Sequence, residues 1–268
     1  MIKKINHLLT VGVILLGTTF GVSIAQASGG AEIPKQVWPH QGMSGTYDKA
    51  ALQHGFQVYK DVCAGCHSMN LLSYRNLAEL GFNEDEIKAI AAEYTMIDGP
   101  NDEGDMFERA GKPFDTFKAP YDNDNQGRYS NNGSLPPDMS LLSKARSGGP
   151  DYIFAMLTGY ADTAEGAGVH ADENGEYPEL MEGQYWNKYF PGYQIAMSPP
   201  LFEGIVTYSD DTEPSLEQAA RDVSQFLAWA SEPKLEERKK MGWKVLIFLV
   251  ILTGLLYGVK RRVWADVH

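Results

Sequence analysis

Cysteine is scarce, with two residues in 268. A disulfide framework is therefore excluded, and whatever the two thiols do together carries weight beyond their number. Basic residues are also in short supply, 23 Lys and Arg against 35 Asp and Glu, for a formal charge of -12. A chain of that sign is not a binder of phosphate backbones and favours a basic partner. No internal repeat, low-complexity tract or convincing period-two alternation is present, so solenoids and large sheets are not expected. At 43% hydrophobic and 22% charged residues, it is neither a disordered tail nor a polytopic membrane protein.

Long apolar runs are confined to the two ends. Residues 1–27 read as an export signal: Lys3 and Lys4 form the basic start, Leu8 to Phe20 the apolar stretch, and Ala25-Gln26-Ala27 a small-residue cleavage site. The competing reading is a permanent N-terminal membrane helix. A transit peptide would be amphipathic and Arg-rich, and this segment is neither. Near the other end, residues 245–259 run without a charge, and 241–259 is long enough to span if Lys244 snorkels. Arg238, Lys239, Lys240 and Lys244 flank it on one side, Lys260, Arg261 and Arg262 on the other, which leaves the positive-inside rule undecided. Orientation then follows from the signal. The expected layout is a signal peptide 1–27, an exported domain 28–238, a transmembrane anchor 239–262 and a cytoplasmic tail 263–268. This places the body in the periplasm of a bacterial cell, on the inner membrane.

The exported part is more acidic than the whole, with 14 basic against 32 acidic residues over 28–235. Two runs, 98–108 and 165–182, concentrate the excess. Each alone reads as a solvated loop, but together they give a negative field that steers cations. Asp48 is placed to cap a helix running to Val62, and Ser215 with Gln218 forms a capping-box pair for a second, ended by Pro233. Shorter helical patterns occupy 84–94 and 150–158. The rest is rich in Gly, Pro, Asn and Asp, so the expected body is mostly helix and long loops.

Both cysteines fall in Cys63-Ala64-Gly65-Cys66-His67, the attachment pattern of haem c. Two thioethers three residues apart can hold one porphyrin edge, and the following imidazole then reaches the iron. Ala64 and Gly65 are small, so backbone can pass close to the ring. A Cys-x-x-Cys redox pair is the rival, but it needs a strand–helix setting and has no use for His67. What fills the second axial position decides the chemistry. A thioether raises the potential and closes the iron, whereas an open position gives ligand binding or peroxidase activity. Met69 is too near His67 to cross the ring, and Met156 lies on an apolar helical face suited to packing. Met197 sits in a proline-flanked loop stiff enough to present a ligand, although the residues alone leave that position open.

Several segments resemble the cytochrome c1 family. They are Trp38-Pro39-His40, Gly55 to Lys60 ahead of the haem motif, Pro100-Asn101-Asp102-Glu103-Gly104, Asn131-Asn132-Gly133 through Leu135-Pro136-Pro137-Asp138, Leu157-Thr158-Gly159-Tyr160 and Tyr189-Phe190-Pro191-Gly192. Asp222-Val223, Phe226-Leu227, Trp229-Ala230 and Glu232-Pro233 follow, ahead of one basic-flanked apolar helix. The resemblance covers residues ~36–264 in order. It implies a single-haem cytochrome c fold with long acidic loops plus one C-terminal transmembrane helix. Met197 takes the family's axial-ligand position opposite His67, and Arg128 falls on an arginine that pairs with a haem propionate. Pro136-Pro137 would pack on the ring edge. Arg128 could instead face Asp122 and Asp124. His40, His54 and His170 are not expected to be ligands.

The implied function is that of the haem subunit of the cytochrome bc1 complex, part of quinol oxidation coupled to proton translocation in respiratory or photosynthetic electron transport. An electron would come from the Rieske iron–sulfur protein and go to a cytochrome c, with cytochrome b as the membrane neighbour. On its own the chain is an electron carrier within a quinol:cytochrome c oxidoreductase. A freestanding membrane-anchored c-type shuttle, or a haem enzyme with an open iron position, are the alternatives.

Overall fold

The computed structural model describes residues 31–210 and 212–265. The expected signal segment 1–27 lies outside the described residues. The Asp48 carboxylate accepts the amides of Ala50 and Ala51 and so starts α1 (Lys49–Val58). The helix does not continue regularly to Val62 as expected; it widens into a π turn over Tyr59–Cys63. Ser215 Oγ accepts the Gln218 amide at 3.1 Å and starts α6 (Leu216–Ser231). The return half of the expected capping box is absent, because the Gln218 side chain donates to the Asp222 carboxylate instead. The two shorter patterns form α2 (Glu84–Ala92), capped by Asn83, and α5 (Pro150–Thr158). The minor helices α3 (Asp124–Ser130) and α4 (Leu142–Ala145) lie in the segment between them.

The most extensive helix contact is α1 against α6. It depends on Gly55, where a Cβ would lie 2.1 Å from the Asp222 carbonyl oxygen and 2.7 Å from Phe226 Cβ. Only glycine lets the backbones come this close. Phe56, Tyr59, Phe226 and Trp229 then form an aromatic core that Phe117 and Tyr74 extend, with ring centroids 4.9–6.0 Å apart along the chain of contacts. Trp38 closes the core from the N-terminal side, its indole donating to the buried Asp151 at 2.6 Å.

Five short strands depart from the sequence expectation. β1 (Thr95–Asp98) and β2 (Phe107–Ala110) form an antiparallel hairpin that carries the first acidic run. Arg109, the base ending that run, joins Asp98 to Asp115 across the base of the hairpin. β3 (Tyr160–Ala161), β4 (Tyr185–Asn187) and β5 (Gln194–Ile195) form an antiparallel sheet in that order. The second acidic run fills the exposed link from β3 to β4. Strands of two to four residues are too short for alternation to register.

The last helix, α7, covers Leu235–Val263, about 43 Å at 1.5 Å per residue, and is the one described helix long and apolar enough to cross a membrane. Its apolar window has a mean hydropathy of 2.0, with none of it buried. Among the described residues the membrane anchor is thus a single pass. The first turns of α7 are tied to the body. Glu236 accepts the Tyr47 amide at 2.9 Å, and the Lys239 ammonium donates to the carbonyls of His40 (2.7 Å) and Gly45 (2.9 Å).

Candidate haem c site

The π turn at the end of α1 shapes the attachment segment. Ala64 N donates to Tyr59 O at 2.8 Å, and the chain then turns back so that Cys66 N and His67 N both donate to Cys63 O, at 3.0 and 2.9 Å. Such widened turns recur at functional positions. The two thiols are not joined as a disulfide; Cys63 is half-buried and Cys66 exposed. Burial pushes the Cys63 thiol up to about 12, with Cys66 adding to the rise. A redox pair of the Cys-x-x-Cys type requires a lowered thiol pKa, so this environment argues against the rival reading.

His67 is 8% exposed, and its Nδ1 lies 2.8 Å from the Pro137 carbonyl. A carbonyl can only accept, so Nδ1 carries the proton and Nε2 keeps its lone pair. Burial lowers the ring's pKa, outweighing the Pro137 carbonyl and Asp138, which act the other way. The imidazole is therefore neutral, as a metal ligand must be. The segment that follows is held by Asp138, which accepts Ser68 Oγ, Asn70 N and Ser140 N, each at 2.8 Å. Met139 N donates to Ser68 O at 2.8 Å, so the two stretches lie side by side. The role of Asp138 could not be read in advance, because its partners Ser68 and Asn70 lie 70 and 68 positions away.

Met197 is partly buried and packs against the same core as Val62, Cys63 and Ala64. Met156, on α5, also packs there, and Met69 is fully buried. Arg128, in the last turn of α3, is exposed and donates to Gly133 O at 3.3 Å; among the described residues it pairs with no carboxylate, Asp122 and Asp124 included. His40 is buried with its ring 5.0 Å from that of Tyr47, His170 is exposed, and His54 lies between Asp210 (3.1 Å) and Asp222 (3.6 Å).

These residues suit haem c. Two unpaired thiols sit three positions apart on a turn, a neutral imidazole has one nitrogen committed to a carbonyl, and small residues lie between. Cys63, Cys66 and His67 form the site of covalent haem c attachment. A haem domain carried on one apolar helix is a membrane-anchored c-type cytochrome, and that is the class this arrangement defines.

Which cytochrome it is follows from the chain as a whole. The Cytochrome C1 family matches residues 38–267. Cytochrome c1 of Rhodospirillum rubrum is 46% identical over 249 residues, covering 91% of this chain and 92% of that one. Cytochrome c1 1, heme protein, mitochondrial, of Arabidopsis thaliana is 46% identical over 248 residues, 92% of this chain and 77% of that one. Cytochrome b/c1 of Bradyrhizobium diazoefficiens is 42% identical over 283 residues, 97% of this chain and 39% of that protein. The chain belongs to the cytochrome c1 family, the electron-carrying haem subunits of cytochrome bc1 complexes.

Proposed function

We propose that the chain receives an electron from a Rieske iron–sulfur protein and delivers it to a cytochrome c, assembled with cytochrome b and with its body in the periplasm of a bacterial cell. On this reading the layout is signal 1–27, haem domain 28–238, anchor 239–262 and tail 263–268. Haem c, when bound, supplies a one-electron iron couple. His67 and Met197 would hold the iron, and Arg128 would meet a propionate by a charge-assisted hydrogen bond. The Pro137 carbonyl and the Asp138 clamp fix the imidazole in one orientation.

The observation that carries this reading is the His67–Pro137 hydrogen bond at 2.8 Å, which commits one ring nitrogen and frees the other in a segment with both attachment cysteines. A pyridine haemochrome assay on the chain, with a reduced-minus-oxidised spectrum of the membranes, tests the cofactor. Mild-detergent purification should retain a b-type haem protein and a Rieske protein; their absence would leave the freestanding shuttle. Met197→Leu should lower the midpoint potential sharply and let carbon monoxide bind the reduced protein. A parent that already binds carbon monoxide readily does not have Met197 as its ligand.

A further inference from the structure

The loop bearing Met197 is tied down unevenly. Up to Ile195 the backbone is well held. Asn187, fully buried, accepts the Tyr189 and Phe190 amides through Oδ1 at 3.1 and 3.2 Å and donates through Nδ2 to Met156 O at 2.8 Å. Asn187 N donates to Tyr193 O at 2.8 Å, and β5 pairs with β4. Beyond Ile195 this support ends. Pro199 and Pro200 have no amide hydrogen, and among the described residues 196–198 make no backbone–backbone hydrogen bond.

Among the described residues one side chain hydrogen-bonds to this stretch. The Tyr160 hydroxyl donates to Met197 O at 3.0 Å, with Ser198 O at 3.4 Å as a second acceptor. Tyr160 stands on β3, opposite Asn187 of β4, and its hydroxyl meets the chain just past the end of β5. Tyr160 borders an open pocket of about 420 Å³, lined also by Leu157, Trp186, Pro199 and Leu201. The hydrogen bond is the directional restraint on the Met197 backbone.

We infer that Tyr160 is a positioning residue that holds the Met197 loop closed, so that the thioether stays the resident iron ligand rather than an exchangeable one. The inference rests on Met197 being that ligand. The test uses the full chain as haem protein in detergent, with three substitutions compared by carbon monoxide binding to the reduced form and by midpoint potential. Tyr160→Phe should raise the fraction open to carbon monoxide about five- to ten-fold, the factor one hydrogen bond carries, and lower the potential. Tyr185→Phe, on the neighbouring strand and with no hydrogen bond to the loop, should match the parent.

Met197→Leu separates the two levels of failure. If it opens the iron while Tyr160→Phe behaves as the parent, the inference falls and the ligand assignment stands. If Met197→Leu also behaves as the parent, the ligand assignment itself falls. Replacing Tyr160 with p-aminophenylalanine returns a donor to the same place and should restore the closed iron. It also keeps the comparison readable should Tyr160→Phe yield no haem protein. An open iron with that analogue would assign the effect to ring packing and overturn the inference.

Discussion

Asp138 holds together two stretches that lie far apart in the chain. Its carboxylate meets Ser68, Asn70 and Ser140, and the residue before it supplies the carbonyl for His67. Burial works to raise its pKa, but the hydrogen bonds from Ser140, Asn70 and Ser68 prevail and hold it below the ordinary carboxylate value. A lowered folded value means the ionised form stabilises the fold above about pH 4, and that this contribution is lost as pH falls further. Asp138→Asn leaves one oxygen where two accepted. The expected cost is roughly 1–3 kcal/mol, towards the lower end because the group is only half-buried. Melting followed by haem absorbance should show the variant less stable at pH 7 and converging on the parent below about pH 4; a constant gap down to pH 3 would deny the carboxylate this role.

The junction of α1 and α6 has its own pH signature. Asp222, 1% exposed, is raised to about 6, chiefly by burial, with the Gln218 amide, His54 and Tyr208 pulling it back and Asp48 adding to the rise. Asp210 and the Tyr208 ring, 4.4 Å from the His54 imidazole, complete the surroundings. Because the folded value exceeds the unfolded one, the protonated form is favoured by folding, and stability from this group falls as pH rises from about 4 to about 6. The total is on the order of 2–3 kcal/mol. Asp222→Asn should remove that slope, so that its melting temperature drops less than the parent's over this interval; parallel profiles would refute the assignment. The two long helices of this layer were legible in the sequence because each begins with a side-chain cap, Asp48 or Ser215, and α6 repeats its apolar residues at helical spacing. The three-stranded sheet was not, since strands of two or three residues carry no period. The site divides in the same way. Cys63, Cys66 and His67 are local and could be read directly, whereas Tyr160 acts on a carbonyl 37 positions away, and only the fold shows it.

At the level of the molecule, 32 acidic residues against 14 basic ones over 28–235 set the surface potential. The hairpin β1–β2 and the link from β3 to β4 carry much of it on exposed backbone. Electron delivery to a cationic acceptor should slow as ionic strength rises, since screening reaches ~10 Å at 0.1 M salt. A stopped-flow rate indifferent to salt would refute acidic docking. The ties from Glu236 and Lys239 to the segment around His40–Tyr47 bear on motion as well. They fasten the first turns of the membrane stem to the haem-bearing body. Such a fastening serves as a mooring rather than a ferry. A redox centre so moored would keep one altitude above the lipid, and carriers of charge would have to come to it.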